Sequence, residues 1–318
     1  MQKGEDKMII TVTLNPSIDI SYPLEQFNLD TVNRVSQVSK TAGGKGLNVT
    51  RVLHDLQGDV IATGVLGGNF GNYIRQQLDA IPVKHDFTDI DQETRFCLAI
   101  LHEHNQTEIL EAGPQVSDQE QEAFFQTFEK LLDQATTVTI SGSMAKGFST
   151  DTYSKLIQRA NHHGCKVLLD TSGASLETSL KAESKPYLIK PNIDEISALV
   201  GKDLSSQDLT GLAQELSNDL FAGIELIVIS MGGQGALVKY QDAFYKVNIP
   251  KITVVNPVGS GDSTIAGMAY AIDRGLDFDE VIKYGMTCGV LNTMNPKTGA
   301  VDMNQFDQIY QQISLEQL

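Results

Sequence analysis

The sequence has little positive charge. Its 318 residues include 24 Lys and Arg against 40 Asp and Glu, which gives a formal net charge of −16. A protein that binds a polyanion needs a basic face, so this balance argues against nucleic acid as a partner. It also means that a phosphate site must be built locally, from backbone N–H groups and a few Lys or Arg side chains.

Cysteine is scarce, and long apolar runs are missing. Cys97, Cys165 and Cys288 are far apart and outside any CxxC spacing, which favours free thiols in a reducing compartment. No apolar run approaches the roughly 20 residues of a membrane span, and the polar start MQKGEDK lacks the apolar core of a signal peptide. We therefore expect no membrane partner and a cytoplasmic location. Because Met8 opens the first apolar run, residues 1–7 are expected to be an N-terminal extension.

Three common site signatures are also missing. The lysine of GKG (44–46) is followed by glycine rather than Ser or Thr, so GxxxxGK[ST], the P-loop, is not present. SMGGQG (230–235) does not read as GxGxxG opening a helix, which argues against a dinucleotide-binding Rossmann domain. His102 and His104 share one predicted strand face without a third ligand at matching spacing, so exposed strand residues are favoured over a zinc site.

Apolar strands and amphipathic helices alternate along most of the chain. Strands are predicted at residues 8–14, 59–66, 138–141, 167–170, 187–190 and 226–230, with shorter ones in 234–255. Helices are predicted at residues 72–80, 117–134, 150–163, 174–181, 193–200, 207–221, 263–274, 279–294 and 303–313, with an earlier one following the Gly-rich turn at 42–46. Strands that alternate with helices at this spacing indicate βαβ units and a mostly parallel sheet covered on both faces.

Two polar, strand-rich segments interrupt this pattern, at about residues 17–41 and 85–112. Their clearest strands are RVSQVSK (34–40) and TRFCLAIL (94–101). We predict one three-layer α/β/α domain over residues 8–318, with a central mostly parallel sheet and a small β-sheet lid formed by the two inserted segments.

Residues 252–271, ITVVNPVGSGDSTIAGMAYA, read as an apolar strand at 252–255, a Gly-rich turn and a helix. This geometry aims several backbone N–H groups at one point, where the helix dipole favours an anion. An aspartate at that point would be repelled by an anionic ligand, so Asp262 is expected to act on a proton. The alternative is that Asp262 is a helix N-cap and Gly-Ser-Gly an ordinary tight turn.

Two motifs together resemble the signatures of the PfkB carbohydrate kinase family, whose fold is ribokinase-like. They are AGGKGLNVTR (42–51) and PVGSGDS (257–263), and their order, their separation and the βα pattern between them all match. The resemblance covers the chain from Met8 onward. It departs at Asn256, where many members carry aspartate; the amide keeps the shape of that side chain and loses its charge.

The resemblance implies a kinase with Asp262 as the general base for the acceptor hydroxyl. A helix N-terminus would keep that carboxylate ionised. Backbone N–H groups of the turn would stabilise charge on the transferring phosphoryl group, those of Gly259, Ser260, Gly261 and Asp262.

On the sugar side, the resemblance implies contacts from Asp19, Gly44, Lys45, Asn48, Arg95 and Ser141. Asp19 and Asn48 would bind sugar hydroxyls, while Lys45 and Arg95 would hold a sugar phosphate. The alternatives are a polar strand end for Asp19, a surface loop for Lys45 and an exposed strand residue for Arg95. Ser141 ends a central strand, where turn chemistry is the alternative.

On the nucleotide side, the resemblance implies contacts from Lys190, Asn192, Ser230, Gly232, Gly233, Gly235, Gly289 and Asn292. Glu195 would organise Mg²⁺, through water, near the nucleotide phosphates. Asn192 followed three residues later by Glu195 also reads as a helix capping box, and both roles can hold together.

Within the family, NPSID (15–19), AGGKGLN (42–48) and ETRF (93–96) resemble the branch that phosphorylates ketose phosphates. The resemblance implies that ATP and Mg²⁺ are used to convert tagatose 6-phosphate to tagatose 1,6-bisphosphate, in lactose and galactose catabolism. Fructose 1-phosphate and fructose 6-phosphate are alternative substrates. A sugar-phosphate-binding regulator without catalysis is an alternative of another class, which the intact Asp262 argues against. A homodimer formed through the lids is also implied.

Overall fold

The computed structural model describes residues 8–103 and 105–318, and within them the strands form two sheets. The strands are β1 (Met8–Thr13), β2 (Ser17–Leu24), β3 (Ser39–Gly43), β4 (Val60–Gly67), β5 (Lys84–Ile90), β6 (Arg95–His102), β7 (Asn105–Leu110), β8 (Ala135–Ser141), β9 (Lys166–Asp170), β10 (Leu188–Ile189), β11 (Leu226–Ser230), β12 (Ala236–Tyr240), β13 (Ala243–Asn248) and β14 (Ser314–Gln317). The helices are α1 (Lys45–Asp55), α2 (Gly68–Ala80), α3 (Asp118–Leu132), α4 (Thr152–His162), α5 (Gly173–Lys181), α6 (Ile193–Val200), α7 (Leu209–Glu215), α8 (Ser260–Asp273), α9 (Phe278–Met294) and α10 (Phe306–Tyr310). The extension expected at residues 1–7 and the strand position predicted for His104 lie outside the described residues.

The large sheet has the order β14-β13-β12-β11-β10-β9-β8-β1-β4-β5. Every pairing from β5 across to β11 is parallel, and β12, β13 and β14 extend the sheet with antiparallel pairings. All the residues of β1 are buried, as expected of a parallel strand with helices on both faces. The predicted mostly parallel sheet is confirmed.

Helices cover both faces of the large sheet. Helices α1, α2, α8, α9 and α10 pack on one face, and α3 to α7 pack on the other. Successive side chains of a strand point to opposite faces, so Ile9 belongs to the first core and Ile10 to the second. The predicted three-layer α/β/α arrangement is confirmed. Among the described residues, no helix combines the length and the hydropathy needed to cross a membrane.

A second, small sheet has the order β3-β2-β6-β7. Strands β2 and β6 are parallel and place Ser17 opposite Arg95 and Asp19 opposite Cys97. Strand β3 runs antiparallel to β2 and leads directly into α1. The small sheet is therefore tied to the helix that carries the first Gly-rich motif.

The boundaries predicted for the lid are partly wrong. Strand β5, expected in the second lid segment, pairs with β4 in the large sheet, where Phe87 and Ile90 are buried. Of the strand predicted at RVSQVSK (34–40) in the first segment, only the last two residues lie in a strand, β3. Val38 is 46% exposed; an alternating pattern forms a strand only where a neighbouring strand is there to pair with it.

Near the C-terminus, two further predictions are wrong. Residues 252–255 form no strand, because the N–H of Val255 bonds the carbonyl of Thr293 at the end of α9 instead of a neighbouring strand. Val254 and Val255 are mostly exposed. Helix α8 begins at Ser260 rather than at residue 263, and β14, which the sequence pattern does not predict, pairs with β13.

Close packing of α8 on α9 depends on Gly267. A Cβ atom added there would overlap the backbone oxygen of Tyr284 and the Sγ atom of Cys288. We expect Gly267→Ala to lower the free energy of unfolding by about 1–3 kcal/mol through overpacking. This net loss already includes the roughly 1 kcal/mol that alanine gains over glycine in a helix. Urea unfolding measures this. Gly233→Ala is the control, since a Cβ atom there meets nothing within 4 Å; a Gly267→Ala protein as stable as that control would contradict the packing argument.

Candidate active site

The parallel strands of the large sheet bring polar residues to one edge. Asn15 lies just beyond β1, Asp170 ends β9, Lys190 follows β10 and Ser230 ends β11. All of these positions are at carboxyl ends, the edge at which open α/β sheets bind ligands. Helices α1 and α8 have their N-terminal residues Lys45 and Asp262 close to this edge, as the contacts below show.

Asp262 lies in the first turn of α8 and is 5% exposed. Gly259 precedes the helix as its N-cap with a φ of 80°, a conformation that glycine adopts without strain. The carboxylate of Asp262 accepts a hydrogen bond of 2.7 Å at Oδ2 from Nδ2 of Asn48. The N-cap interpretation of Asp262 is therefore wrong. At the start of α8 the N–H of Ser260 donates to the carbonyl of Pro257 at 3.3 Å, whereas the N–H groups of Gly261 and Asp262 have no partners within the helix and remain donors for an anion.

Burial changes the acidity of Asp262. It raises the pKa of the carboxyl to about 6, with a further rise from the charge of Asp170. The hydrogen bond from Asn48 and the charges of Lys45 and Lys190 act in the opposite direction. The expected effect of the helix N-terminus is thus outweighed by burial. A carboxylate with this pKa is still mostly ionised at neutral pH and is a better proton acceptor than an exposed one.

Asp170 organises the two lysines of the site. It is 2% exposed, and its carboxylate lies 3.6 Å from Nζ of Lys190 and 3.7 Å from Nζ of Lys45. The charge of Asp170 is the main cause that raises the pKa of Lys45. Asp170 was not among the predicted site residues, although its place at the carboxyl end of a predicted strand is a signal that could have identified it.

The side chain of Lys190, which follows β10, reaches the start of α8. A Cβ atom added to Gly261 would be 2.9 Å from its Nζ atom. The ammonium group of Lys190 therefore lies beside the first turn of α8, where Gly261 and Asp262 present N–H groups without helical partners. Two sources of positive potential meet there, which suits a phosphoryl group rather than a neutral ligand.

Asn48 connects Asp262 to a buried arginine. While its Nδ2 atom donates to Asp262, its Oδ1 atom accepts from Arg51, which also donates to the carbonyls of Ala42 and Thr298. Both polar atoms of Asn48 are thus engaged within the protein. Whether it binds a sugar hydroxyl, as the motif predicts, stays a prediction; the contacts found orient Asp262.

The amide of Asn256 has a structural role that aspartate could not supply. Its Nδ2 atom donates to the carbonyl of Pro296 at 3.3 Å and to Oγ1 of Thr298 at 3.1 Å, while Oδ1 accepts from the N–H of Val258. A carboxylate has no donor for the carbonyl of Pro296, although it could accept from the hydroxyl of Thr298. The departure from the family pattern is explained by this connection between the turn and residues 296–298.

Asp19 and Arg95 lie on neighbouring strands of the small sheet. Asp19 accepts a 2.6 Å hydrogen bond from Ser17, and its carboxylate lies against the backbone of Gly43. Burial raises the pKa of Asp19, while Ser17 and Arg95 lower it. Arg95 donates to the carbonyls of Glu111 at 2.7 Å and Asn15 at 3.1 Å. Lys45 lies beside Asp170 instead, so among the described residues no side chain is shared by Lys45 and Arg95, the two cations predicted for the sugar phosphate.

The residues predicted for the nucleotide differ in accessibility. Gly232 and Gly233 are exposed, and added Cβ atoms there would meet nothing within 4 Å. Gly235 is buried against the backbone of Val247. Ser230 bonds through its N–H to the carbonyl of Pro191 at 3.0 Å, which holds this turn beside α6.

The capping box predicted at α6 is present. Asn192 Oδ1 accepts from the N–H of Glu195 at 2.8 Å, and Glu195 Oε2 accepts from the N–H of Asn192 at 2.9 Å. The second carboxylate oxygen of Glu195 is not part of this box, and its charge raises the pKa of Lys45. Glu195 therefore lies within electrostatic reach of Lys45.

Three residues predicted to contact a ligand are buried within the protein, and their ligand contacts stay predictions. Asn292 is fully buried and bonds the carbonyl of Val258 and the N–H of Gly299. Gly289 is packed against Thr264 of α8. Ser141 is 1% exposed; the exposed serine of this Ser-Gly-Ser turn is Ser143.

A three-layer α/β/α fold with a small second sheet, and an aspartate buried behind a Gly-rich helix start, define the ribokinase-like class. The chain belongs to the pfkB family: the model described as "pfkB family carbohydrate kinase" matches residues 12–304. The resemblance seen in the two motifs is therefore confirmed. The protein is a carbohydrate kinase, an enzyme that transfers a phosphoryl group to an alcohol.

Solved structures similar to the chain include phosphofructokinases. The potassium complex of phosphofructokinase-2 from Escherichia coli is 27% identical, with a TM-score of 0.88 over 96% of this chain and 98% of that one. A candidate phosphofructokinase from Staphylococcus aureus is 30% identical, with a TM-score of 0.83 over 98% and 99%. A candidate 1-phosphofructokinase from Thermotoga maritima is 27% identical, with a TM-score of 0.87 over 98% and 99%.

The acidic limb of the pH profile tests the environment of Asp262. A general base must be ionised, so kcat/KM should fall as the pH drops through about 6, the raised pKa, rather than near 4. Asn48→Ala removes an interaction that lowers this pKa and should move the limb to higher pH. Asp170→Asn removes a charge that raises it and should move the limb to lower pH.

The two variants are compared with the unmodified protein between pH 5 and 8, at saturating ATP. A phosphorylated substrate itself titrates near pH 6, but it does so equally for all three proteins. The difference between the proteins therefore isolates the enzyme's own group. A shift of both variants in the same direction would contradict the assignment.

Proposed function

We propose that the protein phosphorylates a ketose phosphate with ATP, converting tagatose 6-phosphate to tagatose 1,6-bisphosphate in lactose and galactose catabolism; it would then be a tagatose-6-phosphate kinase. The observation that carries the proposal is the meeting of a buried, ionisable Asp262 with the N–H groups of α8 and two lysines at one sheet edge. That combination suits phosphoryl transfer to a hydroxyl.

Asp262 has one carboxylate oxygen free for the proton. Asn48 occupies Oδ2, which leaves Oδ1 to accept the proton of the C1 hydroxyl. As that proton leaves, the hydroxyl oxygen bonds to the γ-phosphorus, and the bond from this phosphorus to the bridging oxygen of ADP breaks. The N–H groups at the start of α8 and Nζ of Lys190 would stabilise the charge on the transferring group.

ATP would lie along Ser230, the exposed Gly232 and Gly233, Asn192 and Lys190. Mg²⁺ keeps most of its waters and needs few protein ligands, and no group of three or more acidic, His or Cys residues in the described chain could hold it alone. The residues nonetheless fit it, because the buried Oδ2 atom of Asp170 accepts no hydrogen bond from the described residues and is approached by Nζ of Lys45 only to 3.7 Å. Asp170 and Glu195 would hold the hydrated ion, which when bound supplies positive charge to the phosphates.

The sugar phosphate would lie between the small sheet and α1. Asp19 and Gly44 would contact its hydroxyls, and Lys45 and Arg95 its phosphate. We propose that the small sheet acts as a lid that excludes water from the transfer. Similarity to phosphofructokinases supports fructose phosphates as alternative substrates. Tagatose and fructose differ at one carbon, so a single hydroxyl contact decides between them.

A homodimer through the small sheet is also proposed. Exposed apolar side chains gather on β7 and on residues 25–38, with exposed fractions of 81% for Leu29, 73% for Val32, 55% for Ile109 and 60% for Leu110. An unpaired edge strand with apolar side chains is a ready surface for a second chain. The inhibited form of the Escherichia coli relative is a tetramer, which supports association but not this surface.

A substrate panel tests the proposed activity. We expect the highest kcat/KM with tagatose 6-phosphate, compared with fructose 6-phosphate and fructose 1-phosphate, all with Mg-ATP. Asp262→Asn keeps the shape of the base without its proton affinity and should lower kcat by roughly 10²- to 10⁴-fold. Preference for either fructose phosphate would move the protein to the corresponding alternative, and near-normal turnover of Asp262→Asn would exclude the mechanism.

Light scattering after gel filtration tests the dimer. A Val32→Asp, Leu110→Asp double variant places charge on the proposed interface and should shift the protein to a monomer, because buried unpaired charge is strongly unfavourable. Met303→Asp is the control, since Met303 is a comparable exposed apolar residue outside the small sheet. An unchanged mass in the double variant would contradict this interface.

A further inference from the structure

A cavity of about 380 Å³ lies where the small sheet meets the large one, apart from the cluster around Asp262. Its lining includes Arg95 and Lys146, the acidic residues Glu93 and Glu111, and the backbone of residues 112–114. Lys146 was not among the predicted site residues. It follows β8 in the turn SGSMAKG (141–147).

The backbone of Lys146 is fixed while its side chain is free. Its N–H donates to the carbonyl of Pro114 at 3.0 Å, and its carbonyl accepts from the N–H of Val116 at 2.8 Å. The residue is exposed, and no ion pair or hydrogen bond of its ammonium group is found within the described chain. An anchored backbone beneath an unpaired cation is the arrangement expected of a residue whose partner is a ligand.

The two acidic residues of the cavity are already engaged. Glu93 accepts from the N–H of Phe70 at 2.6 Å, and Glu111 accepts from the N–H of Phe96 at 3.1 Å. Arg95 spends two donors on backbone carbonyls, yet its Nε–H is buried without a partner in the described residues. Each carboxylate keeps its charge and further lone pairs, so the charges of the lining balance; the ammonium group of Lys146 is the exposed donor of the cavity without a partner among the described residues, and it is available to an anion.

Asn15 joins this cavity to the reaction centre. Its carbonyl accepts from Arg95, and its Nδ2 atom donates to Oγ of Ser143 at 3.4 Å. The adjacent Gly142 lies beside the side chain of Lys45, with 3.5 Å between an added Cβ atom and Cβ of Lys45. Charge from Lys45 and Lys190 acts on Asp262, whereas charge from Arg95 acts on Asp19. The cavity thus lies at the Asp19 side of the cleft, away from the base.

We propose that Lys146 is a specificity-determining residue that, with Arg95, binds the phosphate already present on the sugar. The inference rests on the proposed function and assigns the phosphate to Arg95 and Lys146 instead of Arg95 and Lys45. Arginine supplies a planar pair of donors and lysine a point charge, so together they match a dianion. A free sugar would leave both cations unpartnered, and the pair therefore selects phosphorylated sugars.

Lys146→Ala tests the assignment through selectivity. We expect kcat/KM for tagatose 6-phosphate, relative to that for free tagatose, to fall by roughly 10- to 100-fold, the loss expected for one hydrogen bond to a charged group. The change should appear in KM for the sugar phosphate and not in KM for ATP. Lys146→Arg keeps the charge and should recover most of the ratio. Lys130→Ala, which removes an exposed lysine on α3, should leave it unchanged.

Calorimetry of sugar phosphate binding without ATP separates this inference from the proposed function. If the unmodified protein binds fructose 6-phosphate or tagatose 6-phosphate but turns over neither, the proposed function fails while Lys146→Ala still tests the site by its weakened binding. An unchanged ratio and unchanged binding in Lys146→Ala would overturn the inference. An equal loss of kcat/KM for free and phosphorylated tagatose would also overturn it, because Lys146 would then stabilise the turn rather than contact the phosphate.

Discussion

Two buried carboxylates, Asp170 and Asp262, are the constraint on which the rest of the site depends. Each is almost completely removed from solvent, where an unpaired charge is costly. Lys45 and Lys190 offset the charge of Asp170, and Asn48 donates to Asp262. These contacts join α1, β9, β10 and α8. The position of each element at the sheet edge is therefore set by the charge that it must compensate.

The same constraint explains the polar connections behind the catalytic turn. Arg51 bonds Asn48 and the carbonyl of Thr298, and Asn256 bonds Oγ1 of Thr298 from the other side. The turn that carries Asp262 is thus held from α1 and from residues 296–298 at once. A base with a raised pKa can act on a hydroxyl only if its position is fixed, and this network, which includes the charged Arg51, fixes it.

Much of the fold could be predicted from the sequence, because a parallel strand buried on both faces is a continuous apolar run that needs no knowledge of its neighbours. Predictions failed where pairing decides the outcome. Residues 252–255 are apolar and β-branched, yet they have no strand beside them. Strand β5 has only Phe87 and Ile90 to bury and was assigned to the wrong sheet. In both places, composition describes the residue but not its partner.

The site shows the same division between motif and partnership. Asp262, Lys45 and Lys190 were predicted because they lie within or beside recognisable motifs. Asp170 and Lys146 were not, because the residues that they contact are distant in the sequence. Asn292 lies on α9, and its side chain donates a hydrogen bond to the carbonyl of Val258 within the protein. In a chain with a net charge of −16, this matters for phosphate binding. Lys45 and Lys190 are paired with Asp170 and act on the pKa of Asp262, whereas Lys146 forms no ion pair within the described residues, which supports it as a further cation for the second phosphate.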